Sequence, residues 1–237
     1  MALIEYHPPT FPAFELIYQD DALLVFNKPS GLLTVAGKAI EHRDSLAVRV
    51  QRVWPEARIV HRLDMATSGL IVIALGADNH RALSRQFETR ATKKTYHALI
   101  WGHPEQSEGT VDLPLICDWP NRPKQMVDHE RGKPSQTLWR VIGEGEKHSE
   151  VELTPITGRS HQLRVHMLSL GHPILGDRLY AHEDALALAS RLQLHASTLG
   201  LYHPISNEWL TFEAPCPFLG KPLPTSVDKQ IGFVANH

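Results

Sequence analysis

Two cysteines, Cys117 and Cys216, are all that the 237 residues contain. That number cannot build a disulfide framework, and it points to a reducing compartment, the cytosol. Long apolar runs are missing as well: the longest, such as "GLIVIALGA" at 69–77, fall far short of the ~20 residues a membrane-spanning helix needs. The amino-terminal "MALIEYHPPTFPAF" has neither a basic n-region nor an apolar h-region, so no signal peptide is expected. Positive charge is not in excess; the formal net charge of −2 gives no global attraction to a polyanion. The 15 histidines show no HExxH spacing, and there is no paired CxxC or Asp-rich box. His161 and His166 fall on opposite faces of a strand and well apart around a helix, so no catalytic metal is expected. Without G-x-S-x-G, a P-loop or G-x-G-x-x-G, a serine hydrolase and a nucleotide cofactor both lack their cradle.

What is present fits one large domain or two small subdomains sharing a core. "FELIYQDDALLVFNKP" gives two β-type runs about the acidic turn Asp20–Asp21, a hairpin. Ser45 can cap a helix over "SLAVRVQRVW", with Leu46, Val50, Val53 and Trp54 on one face. "RIVHRLD" and "GLIVIAL" read as strands joined by the turn Thr67-Ser68-Gly69. A short helix from Asp78 carries Leu83 and Phe87. "KKTYHALIWG" alternates, placing Tyr96, Ala98 and Ile100 opposite His97, Leu99 and Trp101. Residues 109–135 look like a long loop or irregular hairpin. "SEVELTPI" is a strand, preceded by a polar hairpin tip at "GEGEK"; "SHQLRVHMLSLG" is a helix stopped by Gly171 and Pro173. "EDALALASRL" is a last helix before strands "QLHASTLGLY" and "EWLTFEAP". Strands with a few helices, not regular βαβ alternation, make the class α+β.

Basic groups gather locally in Lys93 and Lys94, Arg122 and Lys124, Arg131 and Lys133, and Arg159 and Arg164. The chemistry centres on "HRLDMATSGLIVIAL" at 61–75. If "RIVHRLD" is extended, Arg62 and Asp64 share a face and could form a structural ion pair. Two facts favour a chemical role. The aliphatic run behind Asp64 anchors it in a core, and "GRSHQLRVH" offers two arginines and two histidines with no nearby acids. A lone carboxylate facing surplus guanidinium stays ionised, as a base or nucleophile must.

"HRLDMATSGLIVIAL" resembles the signature of RluA-type pseudouridine synthases. "NKPSGLLT", "KKTYHALIWG", "GKPSQT" and "ITGRSHQLRVHMLSLGHPILGDRLY" are similar to that family's other motifs, in the same order, over roughly residues 14–215. The resemblance implies an RNA isomerase that needs no redox cofactor, ATP or metal. It implies a mixed, mostly antiparallel sheet in two halves with a central RNA-binding cleft and a few flanking helices. It assigns Asp64 as the catalytic carboxylate, Tyr96 as the ring that stacks on the base, and Arg164 as the basic partner of Asp64. Leu163 becomes an apolar wall, Arg62 fills the space of an extruded nucleotide, and His61 is structural. The expected organisation is a lead-in at 1–13, a catalytic domain at 14–215 and a tail at 216–237, with no S4-like domain. "LICDWPNRPKQ" is similar to members acting on a 23S ribosomal RNA stem-loop and a transfer RNA anticodon stem-loop; such a partner, no membrane and a monomer are the expectations. A noncatalytic RNA-binding module and a glycoside hydrolase are the rival classes, the latter needing a second carboxylate. Whether Asp64 attacks C1′, adds to C6 or removes the 2′-hydrogen stays open.

Overall fold

In a computed structural model that describes residues 6–221, the aliphatic run behind Asp64 forms β4 (Ser68–Leu75), buried except at Leu75. A strand covered on both faces can hide such a run. It belongs to a 10-stranded sheet in two halves. One half pairs β1 (Glu15–Gln19), β2 (Leu23–Lys28), β3 (Ala57–Ile59) and β4 antiparallel. The other pairs β5 (Lys93–Trp101), β10 (His148–Pro155), β9 (Gln136–Glu144) and β6 (Glu108–Asp112), also antiparallel. Between them runs β11 (Leu194–Tyr202), antiparallel to β5 and parallel to β4, with β12 (Trp209–Glu213) added on it. The two halves are thus joined at the sheet's parallel pair, and there the site is built.

The period of two in β2 and β4 sorts their side chains between two cores. Leu24, Phe26, Ile71 and Ile73 face α1 (Leu46–Gln51) through Leu46 and Val50. Leu23, Val25, Leu70 and Val72 face α2 (Ala77–Glu88) through Leu83 and Phe87. Ser45 caps α1 by accepting the Val48 N–H. On the second half, α3 (Gln162–Ser169) lays Leu163 and Met167 on Ala98, Ile100, Val151 and Leu153. Its end is closed by His172 N–H donating to the Met167 carbonyl, with Gly171 at φ +85 in the left-handed region.

Several expectations shift. α1 stops at Gln51, leaving Val53 56% exposed, because Trp54 turns back onto Phe14 and Phe26. The last helix is only α4 (Glu183–Ala187); the chain bends beyond it to bring Leu192 and Leu194 into the core beneath Leu163. The segment 109–135 is not all loop. It supplies most of β6 and a separate hairpin of β7 (Leu115–Cys117) and β8 (Gln125–Val127). β9, whose sequence was not read as a strand, pairs along β10 through a tip where Gly145 N–H donates to the His148 carbonyl. Outside the sheet, the Tyr6 hydroxyl donates to the Asp44 carbonyl and accepts the Leu33 N–H. Phe218 packs with Leu99, Leu175 and Ala185. Residues 1–5 and 222–237, parts of the expected lead-in and tail, lie outside the described residues. Among the described residues no helix is long and apolar enough to cross a membrane.

Candidate active site

Of "RIVHRLD" only Arg58 and Ile59 lie in β3; from Val60 the chain leaves the sheet and Asp64 stands on a loop. Its backbone partners come from "NKPSGLLT" instead. The Thr34 hydroxyl donates to the Leu63 carbonyl at 2.8 Å and accepts the Leu63 N–H at 3.2 Å. Ser30 Oγ donates to the Ala66 carbonyl at 2.7 Å, and Gly31 N–H to the Met65 carbonyl at 2.8 Å. Lys28, fully buried, donates to the carbonyls of Pro29, Leu32 and Met65 at 2.9, 2.8 and 3.2 Å. Burial pushes its ammonium down to about 7 and the Asp64 charge pulls it back up. Three acceptors match the three N–H bonds of the charged form.

The turn before β4 is Met65–Ala66, not Thr67–Gly69, with Thr67 N–H donating to the Asp64 carbonyl at 3.1 Å. Ser68 and Gly69 are already in β4, because β11 runs alongside them: Ser68 pairs with His195 and Gly69 with Ala196. Gly69 sits at φ +112, where an added Cβ would come within 2.2 Å of the Ala196 carbonyl oxygen. Only glycine permits that approach. On the other side of β11 the same Ala196 pairs with Tyr96 of β5, so the Asp64 loop and Tyr96 flank one strand.

From the second half comes α3. Arg164 Nη1 donates to Asp64 Oδ2 at 3.1 Å. Its Nε and Nη2 donate to both oxygens of Asp177, each at 2.7 Å. Arg164 and Asp177 are 5% and 1% exposed and Asp64 is 27% exposed. The guanidinium is therefore not surplus, as the sequence suggested. Asp177 holds it by a bidentate bond, and Asp64 takes a further N–H. These carboxylates hold the Arg164 guanidinium above its usual range against the cost of burial. Sequence reasoning missed Asp177, in the quoted "GHPILGDRLY": it lies thirteen positions after Arg164, a separation that by itself signals no pairing. It is no second catalytic carboxylate, since Arg164 and the Leu179 and Tyr180 N–H groups occupy it.

Tyr96 and Leu163 pack in one cluster with Ala66. Burial, then the Asp64 charge, holds the Tyr96 phenol above its ordinary range, and its hydroxyl makes no hydrogen bond among the described residues. His161, at φ 54 before α3, lies with Nε2 3.9 Å from Asp64 Oδ2. Arg62 is exposed and forms no ion pair among the described residues, so it is not the partner of Asp64. His61 Nε2 accepts the Val72 N–H at 3.1 Å, its ring stacks on Phe87 at 4.4 Å, and burial pushes it to about 3. It is a neutral, structural acceptor. Among the described residues no three His, Cys, Asp or Glu side chains are grouped to hold a metal ion, and both cysteines are free.

The sequence profile of the RNA pseudouridylate synthase family matches residues 22–169. "Dual-specificity RNA pseudouridine synthase RluA" of Escherichia coli strain K12 is 57% identical over 219 residues, 92% of this chain and 100% of that protein. The protein of the same name from Vibrio parahaemolyticus is 53% identical over 223 residues, 92% of this chain and 89% of the relative. Among solved structures, human RNA pseudouridylate synthase domain containing 1 superposes with a TM-score of 0.73 at 30% identity, covering 91% of each chain. Human RNA pseudouridylate synthase domain containing 4 gives 0.69 at 28% identity, covering 86% of this chain and 89% of that one. Relatives of this similarity over nearly the whole length show that the chain belongs to the RNA pseudouridylate synthase family, isomerases that convert uridine in RNA to pseudouridine.

Proposed function

We propose that this enzyme isomerises uridines presented by stem-loops of 23S ribosomal RNA and of a transfer RNA anticodon arm, acting as a cytosolic monomer with Asp64 as the catalytic carboxylate. One observation carries the site: Asp64 is partly open, while its partner Arg164 is buried and fixed by Asp177. An enzyme group needs that combination of access and fixed orientation. The reaction breaks N1–C1′, turns the uracil and joins C5 to C1′, so its atoms balance within the substrate. A stacked base cannot be reached in place, and flipping it out costs a few kcal/mol. Loops, already partly unstacked, keep that cost low. Tyr96 stacks on the captured uracil, an interaction of roughly 1–3 kcal/mol. Leu163 closes the apolar side of the pocket, and exposed Arg62 occupies the space the nucleotide leaves.

Asp64→Asn tests the assignment. The amide keeps the shape and cannot act as base or nucleophile, so tritium release from [5-³H]uridine RNA should vanish while RNA binding persists. Turnover within about tenfold of the parent, only ~1.4 kcal/mol of barrier, would remove Asp64 from the chemistry. Mapping pseudouridines in RNA from a strain lacking the protein tests the substrates; unchanged ribosomal and transfer RNA would refute both.

A further inference from the structure

His161 is used by nothing argued so far, yet it is held as few residues are. At φ 54 it occupies the left-handed region, which persists in a non-glycine residue only where the surroundings enforce it. Its ring meets Tyr180 edge-on, with centroids 5.7 Å apart, and Nδ1 lies 2.7 Å from the Tyr180 hydroxyl. That hydroxyl oxygen already accepts the Gln125 N–H at 2.8 Å, from the β7–β8 hairpin. The phenol proton has no other acceptor among the described residues, which favours Nδ1 as its acceptor. Burial keeps both groups in the required forms: it pushes Tyr180 up to about 12, so the phenol stays protonated, and it lowers His161, so the ring stays neutral. A neutral imidazole whose Nδ1 accepts must carry its proton on Nε2. Nε2 is the atom that faces Asp64 Oδ2, at 3.9 Å, just outside hydrogen-bond range.

Arg164 Nη1 approaches the same oxygen. Both donors therefore converge on Oδ2, and Oδ1 has no protein donor among the described residues. We propose that His161 is a positioning residue for the isomerisation: the chain Gln125 N–H, Tyr180 O–H, His161 Nδ1 orients the ring so that Nε2–H points at Asp64 Oδ2 across 3.9 Å, and that attraction biases Oδ2 toward α3 and leaves Oδ1 to meet the substrate. This rests on Asp64 being the catalytic carboxylate. The β7–β8 hairpin thereby acts on Asp64 through three successive contacts without touching it.

The test compares two side chains that each keep half of the imidazole. His161→Asn suits the left-handed backbone and can still meet Tyr180, but cannot reach Asp64. His161→Gln places an amide N–H near the Nε2 position. Single-turnover rate at saturating enzyme, RNA affinity and thermal melting are measured for both, with Asp64→Asn alongside. The Asn variant should keep RNA affinity and lose up to about tenfold in rate, the effect of an attraction weaker than a full hydrogen bond to a charged group. The Gln variant should recover most of that rate. Tyr180→Phe, which frees the tautomer, should slow the same step by less. A folded Asn variant as fast as the parent, or a Gln variant no faster than Asn, would overturn the proposal while Asp64→Asn stays inactive. An active Asp64→Asn would instead overturn the reading of the site on which it stands. If the Asn variant melts early, the rate ratio between the Gln and Asn variants at a temperature where both are folded decides.

Discussion

Replacing Asp177 by Asn should damage this protein's stability far more than replacing Asp64, although Asp64 is the residue assigned to chemistry. Asp177 accepts both Arg164 contacts at 2.7 Å and the N–H groups of Leu179 and Tyr180 at 2.9 and 3.3 Å, at 1% exposure. An amide keeps the shape but turns one acceptor into a donor. Whichever way it is flipped, an NH₂ faces the guanidinium, and in one of the two orientations it faces the two backbone donors as well. Arg164 then stays buried with its strongest counter-charge removed, a loss of roughly 3–5 kcal/mol. For a chain of this size each kcal/mol lowers the melting temperature by about 2–4 °C, so the expected drop is roughly 6–20 °C. Asp64 is 27% exposed and makes one hydrogen bond to Arg164, at 3.1 Å. Its neutralisation also relieves repulsion between two carboxylates sharing one guanidinium. A change within about 1 kcal/mol is expected there. Calorimetric melts of both variants at one pH decide. Equal shifts, or an Asp177→Asn protein melting within about 4 °C of the parent, would refute the claim that Asp177 is the structural partner of Arg164.

Lys28→Met should lower stability by roughly 2–5 kcal/mol, because buried carbonyls lose their donor, and should cut turnover more than RNA affinity; parent-like melting would show that the clamp on the Asp64 loop is dispensable. Acid should destabilise the protein through His61. Its folded value of about 3 lies below the ordinary 6.5, so the unfolded chain alone takes up a proton in that window. Stability is full above the window and falls as pH drops through it. His61→Gln should flatten that dependence in urea titrations, and an unchanged slope would refute the assignment. Activity should survive exhaustive dialysis against EDTA, and a loss restored only by zinc would overturn the metal-free reading. Tyr96→Phe should bind RNA normally yet react ~10²–10⁴-fold more slowly, if the free hydroxyl relays the C5 proton; a parent-like single-turnover rate would leave Tyr96 as a stacking surface.

Periodicity and capping made most elements legible. Alternation along 93–101 placed Tyr96 on the inner face of β5, and Ser45 marked the start of α1. Legibility failed where side chains replace the sheet ladder. "RIVHRLD" has the composition of a strand, but the Thr34 hydroxyl takes the Leu63 backbone groups, and Ser30 and Lys28 take the carbonyls of Ala66 and Met65 just beyond it. No local pattern in 58–64 encodes partners that lie thirty residues upstream. Asp177 was invisible for a related reason. Its meaning depends on where the chain after α3 returns, and the distance along the sequence says nothing of a bidentate bond. The charge argument reached the right segment by a wrong route, and the resemblance singled out Arg164 within it; Arg164 is compensated by Asp177, and its value lies in being immobile.

Immobility is also the reason the carboxylate proposed for catalysis can stand on a loop at all. A loop backbone ordinarily turns its N–H and C=O groups to water and moves with them. Around Asp64 those groups are taken one by one: the Leu63 carbonyl and N–H by Thr34, the Asp64 carbonyl by Thr67, the Met65 carbonyl by Gly31 and Lys28, and the Ala66 carbonyl by Ser30. Donors from side chains leave the face above Asp64 open while holding the main chain still. The side chain is then fixed from the opposite half of the sheet, by an arginine that Asp177 already holds through two of its N–H groups. Each half alone carries an incomplete site, and the parallel pairing of β4 with β11, made close by Gly69, is what brings the two within hydrogen-bond distance.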